Sequence, residues 1–197
     1  MLNFLDKSKY LLLIFLPFFI ISGPFLADLA ISIIGVMFLL GIFITKNYNY
    51  LNTKYSLFFF IFCLILIFCS INSDNIFISF ESSLFYFRFG LFFLAVSLLL
   101  ERYKNLNSYF FLSLLTAFSL LLVDGYYQYF TNYNLLGYHY GGNRLSGLFG
   151  EEQKLGNFLI RLLPLLLALS IISKFKFLNN YYFLIIFSIL TGLLIII

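Results

Sequence analysis

Seven apolar runs divide this sequence: Tyr10–Ser22, Phe25–Ile44, Tyr55–Ile71, Glu81–Leu100, Asn107–Val123, Leu155–Ser173 and Tyr181–Ile197. Six of them approach the ~20 residues that a helix needs to cross a bilayer. Lipid offers the backbone no hydrogen bonds, so each run must satisfy its own N–H and C=O groups as a helix. Only 10% of the residues are charged, against about a quarter in a typical soluble domain. The expected fold is therefore all-α: a polytopic transmembrane helix bundle of about seven spans, forming one domain over residues 1–197. The first run is short, carries Pro17 and is followed by Gly23-Pro24. Lys7 and Lys9 before an apolar core, with Ala27 as a cleavage position, would suit a signal peptide. A short first helix in a tight hairpin fits better, because no good small-x-small site follows.

Charge position sets the orientation. With the N-terminus on the cytoplasmic side, Lys7, Lys9, Lys46, Lys54, Arg102, Lys104, Lys174 and Lys176 fall in cytoplasmic segments, eight of the twelve basic residues. Asp6 and Glu101 are the acids there, while Asp28, Asp74, Glu81, Asp124, Glu151 and Glu152 fall outside or at outer helix ends. Tyr10, Tyr48, Tyr50, Tyr55, Tyr103, Tyr109, Tyr181 and Tyr182 mark the inner boundaries, as an interfacial belt does. The net charge of +4 is thus an orientation signal, and no nucleic-acid partner is expected. Cys63 and Cys69 share one apolar run, about 9 Å apart along a helix axis and on different faces, too far for a disulfide.

Four basic residues break the inside pattern: Arg88, Arg144, Lys154 and Arg161. Arg88 lies roughly 10 Å, about two turns, below the outer end of the fourth run, and Arg161 lies at least as deep in the sixth. An arginine at mid-bilayer costs about 2.5–3.5 kcal/mol on insertion scales, so each should face a partner or a wet cavity. Internal pairing is one reading, with Glu81 on nearly the same face as Arg88, and Glu151 and Glu152 in the first turn near Arg161. An anionic lipid or substrate is the other. Lys154, Asn157 and Arg161 follow i, i+3, i+7 spacing and form one polar stripe, with Pro164 loosening the helix beyond it. Such a stripe suits a phosphate-bearing head group, since guanidinium forks pair well with phosphate oxygens.

The long outer loop, about residues 124–154, collects the remaining polar groups. Its GGNRLSGLFG segment, Gly141 to Gly150, is neither a P-loop nor a dinucleotide fingerprint. Its glycines allow backbone N–H groups to point at an anion beside Arg144, and a plain flexible loop is the alternative. Asp124 and Gln128 sit one helical turn apart; they could bind sugar hydroxyls, orient Arg144 or cap the helix. His139 has no second histidine or cysteine nearby, so no metal site is expected, and as a general base it would need an acceptor hydroxyl in reach. The six tyrosines from Tyr126 to Tyr140 are chiefly interface anchors.

Asp124-Gly-x-x-Gln128, then Arg144-x-Ser146-Gly147-x-Phe149, then Leu155-Gly156-x-x-Leu159 and Pro164, resembles the O-antigen ligase and polymerase-like family. Arg88, in FYFRFGLFFLAV, also resembles an arginine of that family's fourth span. The resemblance runs from roughly Phe80 to the end; the first three spans match only in hydropathy. It implies a bacterial inner-membrane glycosyltransferase. Such an enzyme moves a sugar chain from undecaprenyl diphosphate to a lipid-linked sugar acceptor, such as lipid A–core, on the periplasmic side, with no cofactor or metal. By position Arg144 would be the catalytic arginine. Arg88, Arg161, Lys154, Asp124, Gln128 and Asn157 would be substrate contacts. Family members have about a dozen spans and a later catalytic loop, so the resemblance implies that this chain corresponds to their N-terminal portion and holds part of the site. A small transporter or flippase-like subunit, with Arg88 and Arg161 lining a path for an anionic lipid-linked substrate, is the competing expectation.

Overall fold

In the computed structural model, residues 2–140, 144–150, 152–173 and 181–196 are described. They form eight α-helices and no strand. These are α1 (Leu2–Ser22), α2 (Pro24–Thr45), α3 (Lys54–Ile71), α4 (Ile76–Phe85), α5 (Phe87–Arg102), α6 (Leu106–Thr131), α7 (Leu155–Ile172) and α8 (Tyr181–Ile196). Among the described residues, five stretches are long and apolar enough to cross a membrane: α2, α3, α4 with α5 taken together, α6 and α7. A shorter apolar stretch lies in α8 at Leu184–Ile195. This is the makeup of a helical membrane protein, whose lipid-facing side chains stay apolar and whose backbone bonds close within each helix.

The helix ends follow local chemistry. Thr53 caps α3 by accepting a hydrogen bond from the Ser56 N–H at 3.2 Å. Asn132 ends α6 in the left-handed conformation (φ 63°), which asparagine tolerates. Gly23, at φ 138°, forms the tight link between α1 and α2 that Gly23-Pro24 led us to expect. Several boundaries differ from the apolar runs; the fifth run, for one, continues as α6 to Thr131 rather than ending at Val123. Helix α1 begins at Leu2 rather than Tyr10, and the fourth run begins at Ile76 and is interrupted at Tyr86. Helices α1 and α7 both continue through their prolines, Pro17 and Pro164.

The contacts group into two compact units. The first comprises Met1–Leu13 and Ala27–Tyr103. Along α2, Ala30, Ile34, Phe38 and Ile42 form one buried row at i, i+4 spacing. Small residues let helices approach, as they must where lipid supplies no hydrophobic drive between them. A Cβ on Gly90 of α5 would stand 2.1 Å from the Phe59 ring of α3, so only glycine fits there. Ser70 of α3 and Ser83 of α4 face each other with hydroxyls in hydrogen-bond contact. Ser70 also donates to the Leu66 carbonyl at 2.8 Å.

The α1 start in this unit is helical because its charges find partners. Asp6 pairs with Lys9 at 2.8 Å and with Arg102 at the end of α5. Lys9 is 1% exposed, so this lysine is packed rather than presented as a loose surface charge.

The second unit comprises Ile14–Leu26 and Lys104–Ile197. Helix α6 is its axis, with Phe111, Phe118 and Leu121 buried against α7 and α8 residues such as Leu159, Leu166 and Phe187. Gly125 marks the tightest approach: a Cβ there would lie 2.8 Å from both Leu155 of α7 and Leu194 of α8. The Tyr126 hydroxyl donates to the Leu190 carbonyl at 2.6 Å and ties α6 to α8.

Candidate functional site

The stretch richest in polar candidates is the α6 C-terminal half with the loop that follows. Helix α6 runs to Thr131, so Asp124 and Gln128 lie within it, and the connecting segment begins only at Asn132. Asp124 and Gln128 are 0% and 1% exposed, one turn apart on the buried face. A buried carboxylate and amide demand partners, and here the partners are the backbone of the loop. The Asp124 Oδ1 accepts from the Leu135 N–H at 2.8 Å. The Gln128 Oε1 accepts from the N–H groups of Ser146 (3.1 Å) and Gly147 (2.9 Å), and its Nε2 donates to the Ser146 hydroxyl at 3.0 Å.

Asn134 completes the set, and nothing in its sequence context had singled it out. It is 3% exposed. Its Oδ1 accepts from the Leu136 N–H at 3.1 Å and the Tyr138 N–H at 2.7 Å, which folds residues 134–138 into a tight turn. Its Nδ2 donates to the Gly147 carbonyl. The only available signal was the Asn-x-x-Gly-Tyr pattern of a side-chain-stabilised turn, which also occurs in ordinary loops. Gly147 sits at the centre of the arrangement at φ 55°, a conformation glycine allows without strain. A Cβ on it would press the Leu155 side chain at 3.1 Å and the Asp124 Oδ2 at 3.3 Å. That Oδ2 is buried and has no hydrogen-bond partner among the described residues.

Arg144 lies two residues before Ser146. It is exposed and makes no hydrogen bond or ion pair with a described residue. Its neighbours Gly141 and Gly142, two of the glycines expected to let backbone N–H groups point at an anion, lie outside the described residues, as do Asn143 and Glu151. His139 stands edge-on to the Tyr133 ring, 5.1 Å between centroids, across an isolated antiparallel bridge. No cluster of His, Cys, Asp and Glu that could hold a metal occurs among the described residues.

On α7, Asn157 and Arg161 are exposed, while Leu155, Leu159, Leu166 and Ser170 form the buried side. The polar stripe thus lies opposite the core face, and Arg161 has no ion-pair partner among the described residues. Of the acids expected in the first turn beside it, Glu151 lies outside the described residues. Glu152 precedes the helix, which starts at Leu155, and pairs with Lys154 at 2.7 Å. Both members of that pair are more than 60% exposed, so it holds little.

Arg88 belongs to the first unit, and its partner is Asp28 of α2 at 3.0 Å rather than Glu81. Tyr86 interrupts the helix between Glu81 and Arg88, and Glu81 makes no ion pair with a described residue. The guanidinium also packs near the rings of Phe89 (5.0 Å) and Phe85 (5.8 Å), and its Nε is buried without a hydrogen-bond partner among the described residues. Glu81 and Arg88 still border one cavity of about 390 Å³. Cys63 is buried and Cys69 exposed, and both are free.

No family model, no curated protein and no solved structure matches this chain.

Proposed function

We propose that this chain binds the diphosphate of a lipid-linked sugar chain and contributes to a membrane glycosyltransferase of the O-antigen ligase and polymerase-like kind. The carrying observation is Arg144: an exposed guanidinium without a described partner, adjoining a segment whose backbone is tied down by buried Gln128 and Asn134. A mobile arginine loses entropy when it binds; one mounted on a fixed segment loses less. A guanidinium fork matches diphosphate oxygens, and a positive group placed where negative charge gathers on the leaving diphosphate lowers the barrier to transfer.

In this reading the donor is undecaprenyl diphosphate carrying a sugar chain, and the acceptor is a lipid-linked sugar such as lipid A–core. Both are reached from the periplasmic face of a bacterial inner membrane, with the N-terminus cytoplasmic. Arg144 is the catalytic arginine. Arg161, Asn157 and Lys154 extend the cationic surface along α7 for the lipid end of the donor. Asp124 and Gln128, having almost no exposed surface, act by holding the loop. Arg88 is paired with Asp28, which counts against a transport path lined by free cations.

The test is binding and transfer in native membranes. The natural gene product should bind undecaprenyl diphosphate and support sugar-chain transfer. Arg144→Ala should abolish transfer while leaving membrane expression intact, and Arg144→Lys should restore only part of it. Unchanged transfer in Arg144→Ala, or no binding of undecaprenyl diphosphate by the natural protein, overturns the proposal.

A further inference from the structure

A cavity of about 680 Å³ lies between α3 and α5 in the first unit, well away from the loop of Arg144 in sequence. Its volume is in the ~300–1,000 Å³ range of sites that enclose small molecules. Phe58, Phe93 and Leu94 give it an apolar flank, while Lys54 and Glu101 border the same space. These two opposite charges line one cavity, yet neither side chain makes an ion pair or hydrogen bond with a described residue. A site with a free cation and a free anion above an apolar flank has the charge pattern of a zwitterionic amphiphile.

The helix termini reinforce that pattern. Lys54 is the first residue of α3, where the positive end of the helix dipole adds to the ammonium. Glu101 is in the last turn of α5, where the negative end adds to the carboxylate. Arg102, the next residue, has its charge taken up by Asp6, although it also meets Tyr50 at the edge of the cavity. The cavity edge therefore has a positive side that favours phosphate and a negative side that favours an amine.

We propose that this cavity binds a phospholipid with a phosphoethanolamine head group. Its phosphate lies at Lys54 and the α3 N-terminus. Its primary ammonium donates hydrogen bonds to Glu101, and an acyl chain lies along Phe58, Phe93 and Leu94. An anionic phosphatidylglycerol head group satisfies Lys54 but leaves Glu101 facing hydroxyls and like charge, so the site selects the ethanolamine lipid.

The experiment uses the full chain in nanodiscs holding equal mole fractions of phosphatidylethanolamine and phosphatidylglycerol, with retained lipid read by native mass spectrometry after release. The wild type should retain phosphatidylethanolamine over phosphatidylglycerol by roughly fivefold, the scale of one partly exposed charge contact with a helix-end contribution. Glu101→Gln should erase that preference, lowering phosphatidylethanolamine retention and not lowering that of phosphatidylglycerol. Lys54→Ala should lower retention of both lipids. Ser97→Phe, which fills the cavity and keeps both charges, should lower retention of both as well. Equal retention of the two lipids by the wild type, or a preference that survives Glu101→Gln, overturns the proposal, and so does retention that survives Ser97→Phe.

Discussion

The side-chain oxygen of Gln128 accepts hydrogen bonds from two consecutive backbone N–H groups, those of Ser146 and Gly147, at 3.1 and 2.9 Å. One buried acceptor thereby fixes the direction of the chain just past Arg144. Replacing it by leucine leaves both donors buried and unpaired, at about 1–3 kcal/mol for each such group. Gln128→Leu should lower the thermal midpoint of the purified protein and make residues 132–154 sensitive to limited proteolysis. Gln128→Glu keeps an acceptor and should be milder. Equal protease resistance in wild type and Gln128→Leu would remove Gln128 from the role of loop anchor.

The Gly90–Phe59 contact makes a second prediction. A methyl group at position 90 would overlap the Phe59 ring, and overpacking of this kind typically costs about 1–3 kcal/mol. Gly90→Ala should destabilise the protein, and Phe59→Ala should recover part of the loss in the double variant. Differential scanning fluorimetry in detergent measures both. Additive losses would mean that the two positions do not meet.

For the Asp28–Arg88 pair, both side chains are partly exposed, so the coupling is modest. A double-mutant cycle with Asp28→Asn and Arg88→Gln should give about 0.2–1 kcal/mol, in the range of exposed pairs. A cycle with Glu81→Gln in place of Asp28→Asn should give no coupling. The opposite ranking would return Glu81 to the role its spacing suggested.

Single-cysteine labelling tests the orientation. With Cys63 and Cys69 replaced by alanine, Arg144→Cys should react with a membrane-impermeant maleimide added outside intact cells whose outer envelope has been permeabilised. Lys46→Cys should react only after the inner membrane is opened. The reverse order of labelling would invert the proposed topology.

The helical elements were legible because apolar length is a property of the chain alone. Their boundaries were less so where polar residues were packed by distant partners. Asp6, Lys7 and Lys9 look like a cytoplasmic tail in one dimension; the ion pairs of Asp6 with Lys9 and Arg102 draw that stretch into α1. The same limit applied to Arg88, since spacing along a helix names Glu81 and cannot name Asp28 on α2. On α7 the i, i+3, i+7 spacing put Asn157 and Arg161 on one face, but it could not say which way that face turns: Arg161, expected to meet a partner or a wet cavity, lies exposed opposite the buried Leu155, Leu159 and Leu166. Asp124 and Gln128 stood out as polar residues near a helix end. Their engagement with Leu135, Ser146 and Gly147 depends on how the loop folds back, which no local pattern encodes.

The way Asp124, Gln128 and Asn134 take up the loop's backbone donors has a consequence for the medium in which Arg144 works. A connecting segment normally stays hydrated because water is its main hydrogen-bonding partner. Here much of that demand is met from within, so the segment can settle at head-group depth without stranding its amides. The permittivity there is below that of bulk water, and the same guanidinium attracts a phosphate more strongly. The three buried polar side chains thus do more than fasten a loop: they lower its dependence on water.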